Sequence, residues 1–240
     1  MPTTVVLLHG FAGTGRAWDP VAQRLDRESY TAMAPDLRGH GDARDARPVS
    51  FAACVQDVLA AAPARFVLCG YSMGGRIALH VALAAPERVA RLVLVATTAG
   101  IEDEAARTVR REDDERLAAF AEGASVEQFA DRWAAQPLFA GTPPDAARIW
   151  REDLVRNDPR ALAAALRGIG SGAMDPLWDR LGELTMPATV LVGERDAKFV
   201  ALGERLAGAL PGGDLVVVPG AGHGLPREAP EAVSAAIARG

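Results

Sequence analysis

A serine held between glycines, four histidines and a handful of carboxylates set what chemistry this chain can do. Ser72 lies in Gly70-Tyr71-Ser72-Met73-Gly74, a G-x-S-x-G segment after the apolar run Phe66–Cys69 and before a helical pattern. Strand, sharp turn and helix in that order make a nucleophile elbow. The serine occupies a strained backbone turn, so its neighbours must lack a Cβ where chain packs on chain. The helix that begins behind Ser72 aims free N–H groups and its positive dipole end at the reacting centre. A second element is His9-Gly10-Phe11, after the first apolar run. Backbone N–H groups of Phe11 and Met73 are the expected pair of oxyanion donors. The loop Gly10-Phe11-Ala12-Gly13-Thr14-Gly15 lacks the Gly-Lys-Ser/Thr ending of a phosphate loop and does not match G-x-G-x-x-G.

Serine chemistry needs a base. His80 falls mid-helix, as a packed or surface residue. His9 ends the first strand and shapes the oxyanion loop, and His40, in Asp36-Leu37-Arg38-Gly39-His40-Gly41, reads as structural. His223, in Gly220-Ala221-Gly222-His223 after the last strand, is the expected base. The order Ser…Asp…His asks for an acid between them. Asp196, in Gly193-Glu194-Arg195-Asp196, fits best; Glu194 and Asp214 are rivals, with Asp214 at the wrong end of its strand. The expected triad is Ser72, His223 and Asp196: Asp196 fixes the imidazole tautomer and His223 takes the serine proton.

Six segments must position these residues: Thr4–Leu8, Thr31–Pro35, Phe66–Gly70, Leu92–Ala96, Thr189–Gly193 and Leu215–Val218. All but the weaker second run are near-continuously apolar, as strands buried on both faces of a parallel sheet are. Helical patterns over Trp18–Leu25, Phe51–Ala61, Met73–Ala84, Val200–Leu210 and Pro230–Ala238 alternate with them. The alternation predicts an α/β fold: a mostly parallel central sheet with helices on both faces. It breaks between Gly100 and Leu181, 82 residues with 16 acidic and 11 basic side chains and no strand-like run. The expected organisation is a core of residues 1–99 and 182–240, with residues 100–181 an all-helical cap or lid inserted between two strands.

Composition removes several classes. Lys and Arg number 26 against 31 Asp and Glu, a formal net charge of −5, with aromatics at 5%. That balance argues against a nucleic-acid partner. Cys54 and Cys69 have no ligand spacing, the histidines are scattered, and neither a metal nor a cofactor is expected. Two reduced structural thiols and no run approaching 18 apolar residues predict a cytoplasmic protein with no membrane span. Oligomeric state is left open, with a monomer favoured. Of the basic residues, 25 are arginine and one, Lys198, is lysine. Arginine-rich codon usage explains the 25; Lys198 stands two residues past the expected catalytic acid.

The chain resembles the α/β-hydrolase superfamily throughout. Within it, the chain is similar to the 2-succinyl-6-hydroxy-2,4-cyclohexadiene-1-carboxylate synthases of menaquinone biosynthesis. The resemblance rests on Gly70-Tyr71-Ser72-Met73-Gly74-Gly75-Arg76, Arg110-Arg111-Glu112-Asp113-Asp114, Trp133-Ala134-Ala135-Gln136-Pro137-Leu138-Phe139, Arg156-Asn157 and Gly193-Glu194-Arg195-Asp196-Ala197-Lys198-Phe199. It implies a lyase rather than a hydrolase. Ser72, deprotonated by His223, removes a ring proton, and the cyclohexene expels pyruvate without an acyl-enzyme.

The implied substrate is a small polycarboxylate with three carboxylates, which calls for several cations. Arg76, four residues after Ser72, shares its helix face; a partner for a nearby acid is the plainer role for it. Arg110 and Arg156 come from the helical segment, although Arg111 competes with Arg110, and a solvated charge run explains both. Lys198 joins them, and Tyr71 and Trp133 would pack on or hydrogen-bond the substrate. Trp133 is otherwise plain cap core. The family more often carries Asn and polar residues where this chain has Gly224-Leu225-Pro226, a departure expected to loosen the loop that holds His223. A serine hydrolase of esters, thioesters or carbon–carbon bonds in acidic diketones is the second reading. A non-catalytic binding protein on the same fold is the third, and an intact triad argues against it.

Overall fold

Short β-branched and leucine-rich runs form the strands, and a computed structural model describing residues 2–239 sets their bounds. They are β1 (Thr3–Leu8), β2 (Tyr30–Met33), β3 (Phe66–Tyr71), β4 (Val89–Val95), β5 (Ala188–Gly193) and β6 (Gly213–Val218). The sheet order is β2-β1-β3-β4-β5-β6 and every neighbouring pair is parallel. β3 and β5 are buried at every position, which explains their unbroken apolar sequences. Strand order reverses at β1, which lies between β2 and β3, so a crevice opens at the carboxyl ends there. Leu8 pairs with Gly70 in the register, and the loop after β1 therefore lies beside the turn that carries Ser72.

The helices are α1 (Asp19–Ala22), α2 (Phe51–Ala61), α3 (Met73–Ala84), α4 (Glu104–Gly123), α5 (Val126–Ala134), α6 (Pro144–Leu154), α7 (Pro159–Ile169), α8 (Ala197–Ala209), α9 (Leu225–Glu228) and α10 (Pro230–Ala238). Residues of α2, α3 and α8 bury one face of the sheet, around Leu68, Ile77, Leu92 and Leu206. Val21 and Ile237, from α1 and α10, bury the other with Trp18, Leu7 and Val93. The helix expected over Trp18–Leu25 is shorter. A 3₁₀ turn over Gly15–Trp18 leads into α1, and Arg24 and Leu25 close back on Val21 and Ala22 with three-residue spacing rather than an α-helical one.

Between β4 and β5 lie α4 to α7, and no strand occurs there among the described residues. Local signals start these helices. Asp103 accepts from the Ala106 N–H, Ser125 and Gln128 form a capping box, and Asp158 accepts from Arg160 with Pro159 in the first turn. Phe129, Leu154, Leu162 and Leu166 give this segment an apolar cluster of its own, and the cluster takes in Ala12, with Phe11 packed against it. The helices are thus built onto the loop that follows β1. No helix among the described residues is long and apolar enough to cross a membrane. Cys54 and Cys69 are free and buried; burial pushes the Cys54 thiol up to about 11 and raises that of Cys69 as well.

Candidate active site

Ser72 sits between β3 and α3 with φ 51° and ψ −109°, a backbone conformation that L side chains rarely adopt. Its surroundings hold it there. Its N–H donates to the Val95 carbonyl at 2.9 Å, and its carbonyl accepts from the Thr97 hydroxyl at 2.7 Å and from the Gly75 and Arg76 N–H groups. The glycines are required by close approach: a Cβ on Gly74 would overlap the carbonyl of Leu8, and one on Gly70 the carbonyl of Gly74.

Asp196 and His223 reach Ser72 from the ends of β5 and β6. Asp196 is the N-cap of α8, and its Oδ1 accepts from the Phe199 N–H at 3.4 Å while Oδ2 lies 2.7 Å from His223 Nδ1. One carboxylate therefore starts a helix and orients the imidazole. With Asp196 as an acceptor, Nδ1 carries the proton, and the Nε2 lone pair faces Ser72 Oγ at 3.3 Å. Asp196 and His223 are both buried. The rivals are occupied elsewhere: exposed Glu194 accepts from the Gly220 N–H, and Asp214 pairs with Arg239.

The loop carrying His223 is not loosened by Gly224-Leu225-Pro226. Leu225 is fully buried, and the Glu228 carboxylate accepts from the Gly222 N–H at 2.8 Å, the Gly224 N–H at 3.0 Å and Arg195 at 2.7 Å. One buried carboxylate does the fixing that polar loop residues were expected to do. The remaining histidines have other work. His9 Nε2 accepts from the Leu37 N–H at 2.9 Å while Nδ1 donates to the Gly10 carbonyl. His40 packs edge-on to His9 and Phe11. Burial lowers both imidazoles, His40 to about 3. His80 stacks on Phe51 and bonds the Arg76 carbonyl.

A cavity of about 720 Å³ opens over Ser72, between the sheet edge and the helical segment. Phe11, Tyr71, Arg76, Arg110, Trp133, Asp196, Lys198 and His223 all line it. Met73 is the first residue of α3, so its N–H has no acceptor within the helix, while its side chain is buried in the core. Burial raises the Tyr71 phenol. Trp133 stands 4.8 Å from Phe11, and its buried indole N–H has no partner among the described residues.

Arg76 is 6% exposed and pairs with no carboxylate among the described residues, contrary to its plainer expected role. Its Nη1 donates to the Ile169 carbonyl at 2.9 Å, and burial, then Arg110, lowers its pKa to about 10. Arg110 lines the cavity and is held by Asp114 at 2.8 Å, whereas Arg111 turns away to the Gly172 carbonyl. The geometry therefore brings Arg110, not Arg111, to the cavity.

Arg156 is a correction. It is exposed and lines a separate groove with Arg16, Asp36 and Asp42. The chain turns after α6 so that Leu154 and Asn157 face inward and Arg156 faces solvent. Two further cations that sequence reasoning missed line the cavity instead: Arg227, buried against Asp153, and Arg205, stacked 3.9 Å over Trp178 and paired with Glu102. Asp153 and Glu228 were missed too, and Asn157, quoted beside Arg156 in the resemblance, was given no role. The available signal was a polar residue repeated at four-residue spacing, Asp153 then Asn157, where a solvated helix end has no need of one.

A serine at the end of β3, a carboxylate at the end of β5 and a histidine after β6, brought together at the carboxyl ends of a parallel sheet, define a class of enzyme, and the comparisons agree. Residues 5–236 match the model of the alpha/beta hydrolase family, and the chain belongs to that family. It is an enzyme of the alpha/beta hydrolase type. It is 34% identical over 242 residues to the 2-succinyl-6-hydroxy-2,4-cyclohexadiene-1-carboxylate synthase of Salmonella newport, covering 98% of this chain and 92% of that one. Among solved structures, MenH from S. aureus superposes with a TM-score of 0.90 at 29% identity, covering 97% and 91% of the two chains. A thermophilic esterase from Thermogutta terrifontis, solved with malate bound, is 27% identical with a TM-score of 0.81, covering 99% and 88%.

Proposed function

We propose that this protein is a carbon–oxygen lyase of menaquinone biosynthesis that makes 2-succinyl-6-hydroxy-2,4-cyclohexadiene-1-carboxylate. The substrate is the 5-enolpyruvyl cyclohexene precursor, 2-succinyl-5-enolpyruvyl-6-hydroxy-3-cyclohexene-1-carboxylate. The relative from Salmonella newport carries that synthase name. The observation that carries the reading is Arg76: a buried guanidinium one helical turn past Ser72, facing the cavity with no carboxylate partner among the described residues. A buried charge without a counter-ion is costly, and an anionic ligand supplies the missing one. Lys198 also lines the cavity without a carboxylate partner among the described residues, and Arg110, Arg205 and Arg227 add charge that is shared with acids. An apolar ester gains nothing from this wall; a tricarboxylate does.

In this reading His223 takes the Ser72 proton and Asp196 holds the imidazolium that forms. Ser72 removes the proton from ring carbon 2, its electron pair forms the 2,3 double bond, the 3,4 double bond shifts to 4,5, and the bond from carbon 5 to the enolpyruvyl oxygen breaks. The leaving enolate takes a proton on carbon to become pyruvate. Phe11 and Met73 N–H groups hold the oxyanion that develops as the proton leaves. Residues 100–181 act as the lid over a core of 1–99 and 182–240, and the reaction belongs in the cytoplasm. The test follows pyruvate release from the enolpyruvyl cyclohexene beside hydrolysis of a neutral ester. Rapid pyruvate release with slow hydrolysis is expected; rapid hydrolysis with no pyruvate sinks the reading in favour of a serine hydrolase.

A further inference from the structure

Behind the loop after β1 lies a cluster of buried polar side chains that no step of the proposed chemistry uses. Asp153, in the last turn of α6, is 5% exposed. Its Oδ1 accepts the Thr14 hydroxyl at 2.5 Å, and its Oδ2 accepts the Thr14 N–H at 3.1 Å and Arg227 Nη2 at 2.7 Å. One turn further on, Asn157 is also 5% exposed. Its Nδ2 donates to the Ala12 carbonyl at 3.1 Å, and its Oδ1 accepts the Gly41 N–H at 2.9 Å. The end of α6 therefore grips the chain on both sides of Gly13.

The gripped segment carries strain. Ala12 has φ 60°, a conformation that an L residue keeps only where its surroundings over-determine it. Ala12 directly follows Phe11, the expected oxyanion donor, and both pack into the apolar cluster of the helical segment. Thr14, Asp153 and Asn157 do not line the cavity, so none of them is placed to touch substrate. A lid that only covers a ligand has no use for a buried carboxylate sent to the backbone of a core loop, since burying that charge is costly without its bonds.

We propose that Asp153 and Asn157 are positioning residues through which the helical segment sets the Phe11 N–H in the oxyanion hole. The hole is then assembled jointly by core and segment. This inference rests on Phe11 and Met73 being the oxyanion donors, not on the identity of the substrate, and its test is chosen accordingly. An alkyl fluorophosphonate reports the hole without any natural substrate. Ser72 Oγ bonds to phosphorus, the phosphorus–fluorine bond breaks, fluoride leaves, and the serine proton passes to His223, with the phosphoryl oxygen in the hole.

The inactivation rate is measured for wild type, Thr14→Ser, Thr14→Val and Asp153→Asn, with thermal unfolding as the control for folding. Thr14→Val and Asp153→Asn are expected to react about tenfold or more slowly, short of the loss from deleting a donor outright. Thr14→Ser, which keeps the hydroxyl, is expected within about twofold of wild type, and the pH profile of inactivation is expected to keep its wild-type shape in every variant. Thr14→Val guards against the case in which Asp153→Asn fails to fold. Lower melting with wild-type reactivity would make the cluster merely structural and overturn the proposal. A changed pH profile would show that the cluster acts on the base rather than on the hole and overturn it too. A wild type inert to the phosphonate would remove the oxyanion hole and the proposal with it. Absence of pyruvate release would sink the lyase reading and leave this result readable.

Discussion

Ser72 and Arg110 face one cavity from opposite walls, and different forces hold them there. On the sheet wall the reactive atoms are fixed by backbone. The end of β3 meets the start of α3 at a strained φ of 51°, glycines let carbonyls approach, and Asp196 is set by its place as the cap of α8. On the helical wall the same precision comes from side chains. Arg110 reaches the cavity because Asp114 holds it at 2.8 Å, while its neighbour Arg111 points to the Gly172 carbonyl. Backbone placement survives most side-chain changes at a distance. Side-chain placement depends on one partner, so a single substitution re-aims it.

The sharpest break of this contrast is on the sheet wall. Ser72→Ala or His223→Ala is expected to lower kcat/KM for pyruvate release about 10²–10⁴-fold, the scale of a lost general base, with KM nearly unchanged. A change in KM of the same size, with kcat intact, would mean that these residues bind rather than react. Arg76→Ala and Arg110→Ala are expected to cost about 1.5–3 kcal/mol in kcat/KM for the tricarboxylate and little for a neutral ester. Lys198→Ala, which removes an exposed cation, is expected to cost less, and its effect should shrink at high salt. Arg111→Ala and Arg156→Ala are expected within about twofold of wild type. A loss at Arg156 equal to that at Arg110 would contradict the placement of the two walls.

The smallest effect separates the walls by acid. His9 and His40 lie fully buried under the sheet-side loop, and burial lowers His40 to about 3. A depressed folded pKa favours the neutral imidazole in the fold. The stabilisation is complete above the unfolded value of about 6.5 and is lost as pH falls from there toward 3. Urea unfolding between pH 7 and 5 should show wild type losing up to about 1.4 kcal/mol per pH unit for this one proton, with His40→Asn less steep. Equal slopes in the two proteins would show that His40 is not buried as a neutral ring.

The same division explains what was legible in the sequence. The strained turn at Ser72, the approach of Asp196 and His223 to it and the parallel sheet were readable because each is written in local backbone needs: glycines around Ser72, apolar runs for buried strands, and an acid at a strand end. That the segment is helical was readable from its lack of any strand-like run; where each helix starts was set by Asp103, Ser125 and Asp158, which the structure shows as caps. The direction of its arginines was not, because Arg110, Arg111 and Arg156 lie in charge-rich stretches whose pattern does not mark an inner face. The missing knowledge was what each meets: Asp114 for Arg110, the Gly172 carbonyl 61 positions away for Arg111, and, outside the segment, Asp153 for Arg227, 74 positions away in the chain. Glu228 was hidden in part for the same reason: Gly222 and Gly224 are its neighbours in the chain, but its Arg195 partner lies 33 positions away.

The central claim is that Ser72 acts as a base in an elimination and not as a nucleophile. Rapid-quench turnover of the enolpyruvyl cyclohexene, read by intact protein mass and by pyruvate, tests it most directly. Pyruvate and the conjugated diene should appear in equal amounts while the protein keeps the mass of its unmodified chain throughout. An adduct on Ser72 that forms and decays with turnover, or turnover without pyruvate, would contradict it.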